Sequence, residues 1–306
     1  MKNNKNERNI FEILILFILI NIIIYLVNTT TFYSFLSKHI IDIKLLGGYA
    51  RDVVKELIIF LVVMIMIIIK KIKTNILPNT KEKTLKSVLK GWPIFLLVLP
   101  ELLFILYEII FINKDCNFYE MFGLLCYCLI IGLTEEFICR KLIQDELIEK
   151  YGNTHRKIIL SIFVSSILFG LMHLINLIYG QSLTSTLIQI IQNVFWGMAI
   201  GAIYYKTKNI WSVVLIHGFS DFILKLDEVL PIQNYIWNFN PLYIQILKVL
   251  LIIISIVVYI LYTIKLLHNN DAKSNTNTRK KCSYTIISLT SIYFVLEILF
   301  IALHIK

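Results

Sequence analysis

Apolar residues run along this chain in stretches long enough to cross a hydrocarbon core of roughly 30 Å, about 20 residues of helix, and short polar or charged intervals divide them. Nine such stretches predict nine helical spans, at roughly 10–27, 53–69, 92–112, 121–141, 158–178, 184–205, 210–226, 242–264 and 283–303. The second is the shortest and the seventh is interrupted by polar residues, so eight spans is the alternative count. Composition agrees with this pattern. Of 306 residues, 58% are hydrophobic and 16% charged, and the mean hydropathy of +0.75 lies far above that of a soluble globular domain. The fold class is therefore expected to be all-α, a polytopic bundle in the cell membrane.

The first run follows Lys2, Lys5 and Arg8, as a secretory signal would, but it leads into Asn28-Thr-Thr-Thr without a small-x-small cleavage site and reads as an uncleaved anchor. Lysine and arginine counts orient the bundle. With the N-terminus in the cytoplasm, the inside loops hold Lys70 to Lys90, then Lys150, Arg156 and Lys157, then Lys206 and Lys208, then Lys265 to Lys281. The outside loops hold Lys114, none in 179–183, none in 227–240, and Lys38, Lys44, Arg51 and Lys55 in the first. The bias predicts a cytoplasmic N-terminus.

This distribution also accounts for the net charge of +10. The cations sit in short loops and no soluble domain is left to carry a nucleic-acid face, so the expected partners are membrane lipids with anionic headgroups. The stretch from His268 to Lys281 reads as a flexible linker. Of five cysteines, Cys126 and Cys128 lie two apart on a helix and point to different faces, which suits neither a metal nor a disulfide.

Within the fourth span, "LTEEFICRKL" places Glu135, Glu136 and Arg140 where a charge near the centre of a helix costs about 2.5–3.5 kcal/mol on insertion scales. Glu136 and Arg140 are four apart with the acid first, the favourable order for an ion pair. Glu135 is turned about 100° away and needs a donor from another helix, a proton or water. The structural alternative is that all three snorkel to a nearby interface. Two histidines, His173 and His217, fall well inside predicted spans, and each has a companion one turn away. In "FGLMH" it is Phe169, and in "HGFSD" it is Asp221. Each could be an isolated hydrogen-bonded core histidine; taken together with the acidic helix they predict one polar cluster drawn from three helices. Glu101 and Glu108 are candidates to support the same cavity, and Glu297 has no assigned role. Gly197 and Gly201, four apart in the sixth span, read as packing positions.

No serine or cysteine stands in a nucleophile context, and His-Glu-x-x-His is absent. A carboxylate and an imidazole able to share a water remain, which suffices for hydrolysis. Glu135, His173, His217 and Asp221 are also metal-ligand types, so a metal-dependent hydrolase or transporter is a competing reading of the same residues.

Glu135-Glu136-x-x-x-Arg140, Phe169-x-x-x-His173 and His217-x-x-x-Asp221, in this order on successive helices, resemble the three motifs of the CPBP family of intramembrane endopeptidases. This family, also called Abi or CAAX protease, includes type II CAAX prenyl endopeptidases and bacterial proteins linked to bacteriocin processing and self-immunity. The resemblance covers roughly residues 121–226 and extends to Gly197, Gly201 and Trp211. It divides the chain into N-terminal membrane helices (1–120), a catalytic helical core (121–226) and C-terminal membrane helices (227–306).

By position, the resemblance implies that Glu135 activates water with help from His173, that Arg140 holds a supporting Glu136, and that His217 and Asp221 face the substrate carbonyl. It implies a glutamic protease with neither metal nor cofactor, acting on a membrane-associated or lipidated peptide. Prenyl endopeptidases often carry Asn where Asp221 stands here. An ionised carboxylate cannot donate to an oxyanion, so Asp221 must be protonated or act by orienting His217. A non-catalytic immunity or peptide-binding protein on the same fold is the remaining alternative. The excess of Ile, Asn and Lys points to an AT-rich bacterial genome, hence to pheromone or bacteriocin leader processing over prenyl maturation.

Overall fold

The computed structural model describes residues 10–29, 32, 34–35, 38, 44–69, 84–111, 117–230, 242–268 and 276–304. Among these there is no β-strand, and every predicted span is a helix. We label them α1 (Ile10–Val27), α2 (Ala50–Ile69), α3 (Trp92–Phe111), α4 (Phe118–Glu136), α5 (His155–Met172), α6 (Leu183–Thr207), α7 (Ile210–Leu224), α8 (Leu242–Leu267) and α9 (Thr276–His304).

Six of the nine segments are long and apolar enough to cross a membrane: those containing α3, α4, α5, α6, α8 and α9. Among the described residues this is fewer than the eight or nine spans expected. The apolar part of α1 and all of α7 fall short in length, and α2 carries Arg51, Asp52, Lys55 and Glu56 in its first two turns. The all-α polytopic bundle stands. Large apolar side chains such as Leu61, Ile68, Ile110, Leu160 and Ile253 lie on its outside. In water such a surface would drive association; against lipid tails it is the expected face.

The last helix begins earlier than the sequence suggests. Thr276 to Lys281 is helical and continuous with the apolar run, which corrects that part of the expected flexible linker. Extending an established helix adds a hydrogen bond per residue with no new nucleation. Residues 269–275 of the linker, with Cys116, Lys114, the basic residues before Ile10 and those of 70–83, lie outside the described residues.

α4 occupies the middle of the bundle. Asn117 caps it by accepting the Tyr119 N–H, and it packs against α2, α7 and a tight turn at Lys44–Tyr49. The crossing with α7 is close because of Gly218. A Cβ there would lie 2.9 Å from the Leu129 Cα and 3.1 Å from the Cys128 carbonyl, so only glycine lets the two backbones meet. α5 and α6 form a hairpin, α8 lies against α6 and pairs with α9, and α9 closes on α3.

The chain does not leave the helix at residue 141, where the apolar run ends. It passes through a π-helical segment, Phe137–Gln144, and continues as Asp145–Tyr151 to Gly152. The Asp145 N–H donates to the Arg140 carbonyl, five residues back, and all eight residues of the π segment are buried. Phe137, Ile138, Leu142 and Ile143 join side chains from α1, α2, α3, α5, α6 and α7 in the main apolar core. Irregular turns of this kind frequently mark functional positions in helices. This one begins directly after the two glutamates.

Candidate active site

α4 ends on Glu135 and Glu136, and the crossing enforced by Gly218 brings His217 of α7 against them. Glu136 is fully buried and holds two donors. Its Oε2 accepts from Arg140 Nε at 2.8 Å, and its Oε1 lies 3.0 Å from His217 Nδ1. A carboxylate paired with a guanidinium only accepts, so His217 Nδ1 carries the hydrogen in this contact. The other imidazole nitrogen, Nε2, then faces Asp221 Oδ2 at 3.4 Å and Glu135 Oε2 at 3.6 Å. Both distances exceed a well-formed N–H···O bond. Nε2 is within reach of two carboxylates without being tied to either.

Arg140 does not snorkel. Its side chain is 0% exposed, its Nη1 donates to Gln144 Oε1 at 3.2 Å, and Gln144 Nε2 donates onward to the Gly201 carbonyl at 3.0 Å. Gly201 makes room for this chain: a Cβ on it would sit 2.7 Å from Gln144 Oε1 and 3.0 Å from Arg140 Nη1. Gly201 is therefore more than a helix-packing position, whereas Gly197, which faces Phe169 and Ser166, is a packing position as expected. Ser165 of α5 donates to the Cys139 carbonyl at 2.8 Å and ties the π segment down from the other side. Cys128 is fully buried among Phe104, Ile105 and Leu124, in keeping with a structural role.

His173 stands where α5 gives way to the 3-10 turn His173–Leu177. Phe169 meets its ring edge to face, with centroids 5.5 Å apart, and Phe169 also packs edge to face on His217 at 6.0 Å. Trp196 of α6 stacks on Phe169 at 5.6 Å and approaches His217 to 4.6 Å. The two imidazoles are thus held by one aromatic pair. Trp196 was not among the residues expected from the sequence.

These groups border a cavity of about 490 Å³. Glu135, His173, His217 and Asp221 all line it, with Phe169 and Trp196, while Glu136 and Arg140 stand behind His217. The structure therefore brings together all four expected reacting residues and the three supporting ones. Unexpected are the amides of Asn176, Gln189, Gln192 and Asn193, which form much of the remaining wall, and Lys225 just beyond α7. Glu101 and Glu108 are not part of the lining. Val98, less than one turn before Glu101 on α3, does line it, and Glu297 lies one turn after Tyr293 on α9.

The side chains are suited to moving a proton between water, a carboxylate and an imidazole inside a membrane bundle. Three His, Cys, Asp or Glu side chains disposed to hold a metal ion are not found together among the described residues.

Residues 117–223 match the model of a protein family described as type II CAAX prenyl endopeptidase Rce1-like. The match spans α4 to α7, the helices that carry the carboxylates and histidines of the cavity, while Val98 of α3 and Tyr259 of α8 complete its lining; it bears out the CAAX-protease resemblance over that part of the chain. No individual curated protein and no solved structure is similar enough to add to it.

Proposed function

We propose that this multi-pass membrane protein is an intramembrane endopeptidase that hydrolyses a peptide bond with water activated by Glu135. The observation that carries the reading is the position of His217. Its Nδ1 is fixed by a buried, arginine-paired Glu136, and its Nε2 opens between Glu135 and Asp221 onto the cavity.

In this reading Glu135 takes a proton from a water molecule as the oxygen attacks the scissile carbonyl carbon, and the carbonyl π electrons move onto its oxygen. Nε2 of His217, protonated and backed by Asp221, donates to that oxyanion. Asp221 as a carboxylate cannot donate itself; it stands 3.4 Å from Nε2, on the same side of the imidazole as the oxyanion. When the oxyanion collapses and the C–N bond breaks, Glu135 returns its proton to the departing amine. His173 assists from the facing wall. Arg140 and Glu136 touch no substrate and act by holding His217 in place.

The family match supports CAAX-type proteolysis, and the aromatic and amide lining suits a peptide lying partly in the membrane. The substrate class is thus a membrane-associated or lipidated peptide, with peptide pheromone or bacteriocin leaders as natural examples. The test is cleavage of quenched fluorescent peptides, farnesylated and unmodified, by the full chain in detergent, with and without EDTA. Cleavage indifferent to EDTA is expected. Loss of cleavage in EDTA would contradict the glutamate mechanism, and a folded protein that binds these peptides without cutting any of them would contradict the enzyme reading.

A further inference from the structure

His173 is clamped at one nitrogen and left open at the other. Gln189 Nε2 lies 3.3 Å from His173 Nδ1. Gln189 Oε1 is already occupied: it accepts from Asn176 Nδ2 at 2.9 Å and from Gln181 Nε2 at 3.1 Å. Two amide donors on the oxygen leave Gln189 only its NH₂ to turn toward the imidazole, and an NH₂ needs an acceptor. Nδ1 must then present its lone pair, so the hydrogen of neutral His173 resides on Nε2. That nitrogen is buried, has no partner among the described residues, and belongs to a side chain lining the cavity. Phe169 against the ring edge limits rotation of the imidazole. The arrangement mirrors that of His217, but with the opposite sense. Glu136, a pure acceptor, draws the hydrogen of His217 onto Nδ1, whereas Gln189, a donor, drives that of His173 onto Nε2.

We infer that Gln189 is a positioning residue that fixes His173 as an N–H donor facing the reacting atoms, so that Glu135 is the only base on the water. This rests on the protease reading given above and refines the part that His173 plays in it. A donor at Nε2 can orient the water or bind the developing oxyanion; it cannot take the water's proton. Asn176 and Gln181 set the direction of the clamp by holding the Gln189 oxygen. They come from the turn after α5 and from the loop before α6, so the clamp is assembled where the hairpin closes.

The test is the protonation pattern of His173 in the full chain in detergent, read from ¹⁵N imidazole shifts at neutral pH and assigned by the signal lost in His173→Asn. Wild type is expected to show Nε2 protonated and Nδ1 bare. Gln189→Met keeps the side-chain length and removes the clamp, and is expected to give a mixture of both tautomers. Gln189→Glu keeps the bonds from Asn176 and Gln181 and offers Nδ1 an acceptor, so the hydrogen is expected to move there. On a cleavable peptide, Gln189→Glu is expected to lower kcat by about 100-fold, the scale of one lost oxyanion-type donor, with KM little changed. A hydrogen on Nδ1 of wild-type His173, or wild-type kcat in both variants, overturns the inference. Should wild type cleave no peptide, the protease reading fails while the nitrogen spectra still decide the clamp.

Discussion

Glu135 and Glu136 are neighbours in sequence and about 100° apart on the helix, and this small rotation separates one carboxylate for the cavity from one for the interior. Glu136 is entirely enclosed with Arg140 and His217, while the Glu135 side chain keeps 22% exposure. Removing one member of a buried pair leaves the other charge uncompensated, which costs about 3–5 kcal/mol. Arg140→Met is therefore expected to lower the thermal unfolding temperature in detergent strongly, and Arg140→Met with Glu136→Gln to recover part of the loss. An additive double mutant would show that the pair is not coupled. The charged residues of the site were legible in the sequence because charge is rare in a membrane helix and demands a reason. The amides were not. Gln189, Gln192, Asn193 and Trp196 follow the i, i+3, i+4, i+7 spacing of one helix face, a polar stripe within a span that would have pointed to the wall of the cavity. The amides lower the hydropathy of their span, but without a charge they do not demand a partner as a carboxylate does, and an aromatic residue in a span looks like lipid contact.

At the scale of the elements, most helices were readable to within a few residues because apolar run length is set by the membrane, but the polar extensions of α4 to Tyr151 and of α9 back to Thr276 were not. The π segment was not readable. Its sequence, Phe137 to Gln144, carries no local signal for a five-residue hydrogen-bond step. It is selected by tertiary partners, among them the Ser165 hydroxyl on the Cys139 carbonyl and the Gly201 carbonyl on Gln144. The role of Gly201 was likewise invisible, since spacing of four between glycines predicts close helices without saying what approaches. Gly201→Val places new carbon in the space held by Gln144 and Arg140. Overpacking of this kind costs typically about 1–3 kcal/mol, and here it also shifts the group that holds Glu136. Gly201→Val is expected to lower both stability and peptide cleavage, and Gly197→Ala, whose Cβ would lie 3.2 Å from Phe169 Cδ1, to lower them less. Equal effects would mean that both glycines serve packing alone.

For the whole molecule, the bundle was legible from composition, and its count of full spans was not. α1, α2 and α7 are helices whose length or charge leaves them short of a complete span. The short α7 is the one that carries His217 and Asp221. The charge bias of the loops predicts which side is cytoplasmic. With Cys116 replaced by serine, a cysteine at Asn153 is expected to resist a membrane-impermeant thiol reagent in intact cells, and one at Ser182 to react. The reverse pattern would invert the proposed topology.

The central claim is that Glu135 is the reacting carboxylate, and one comparison tests it most directly. Cleavage of a quenched fluorescent peptide by the purified chain should be abolished by Glu135→Gln, which keeps the shape of the side chain and removes its basicity, while the unfolding temperature stays near that of wild type. Full cleavage by the folded Glu135→Gln protein would contradict the account.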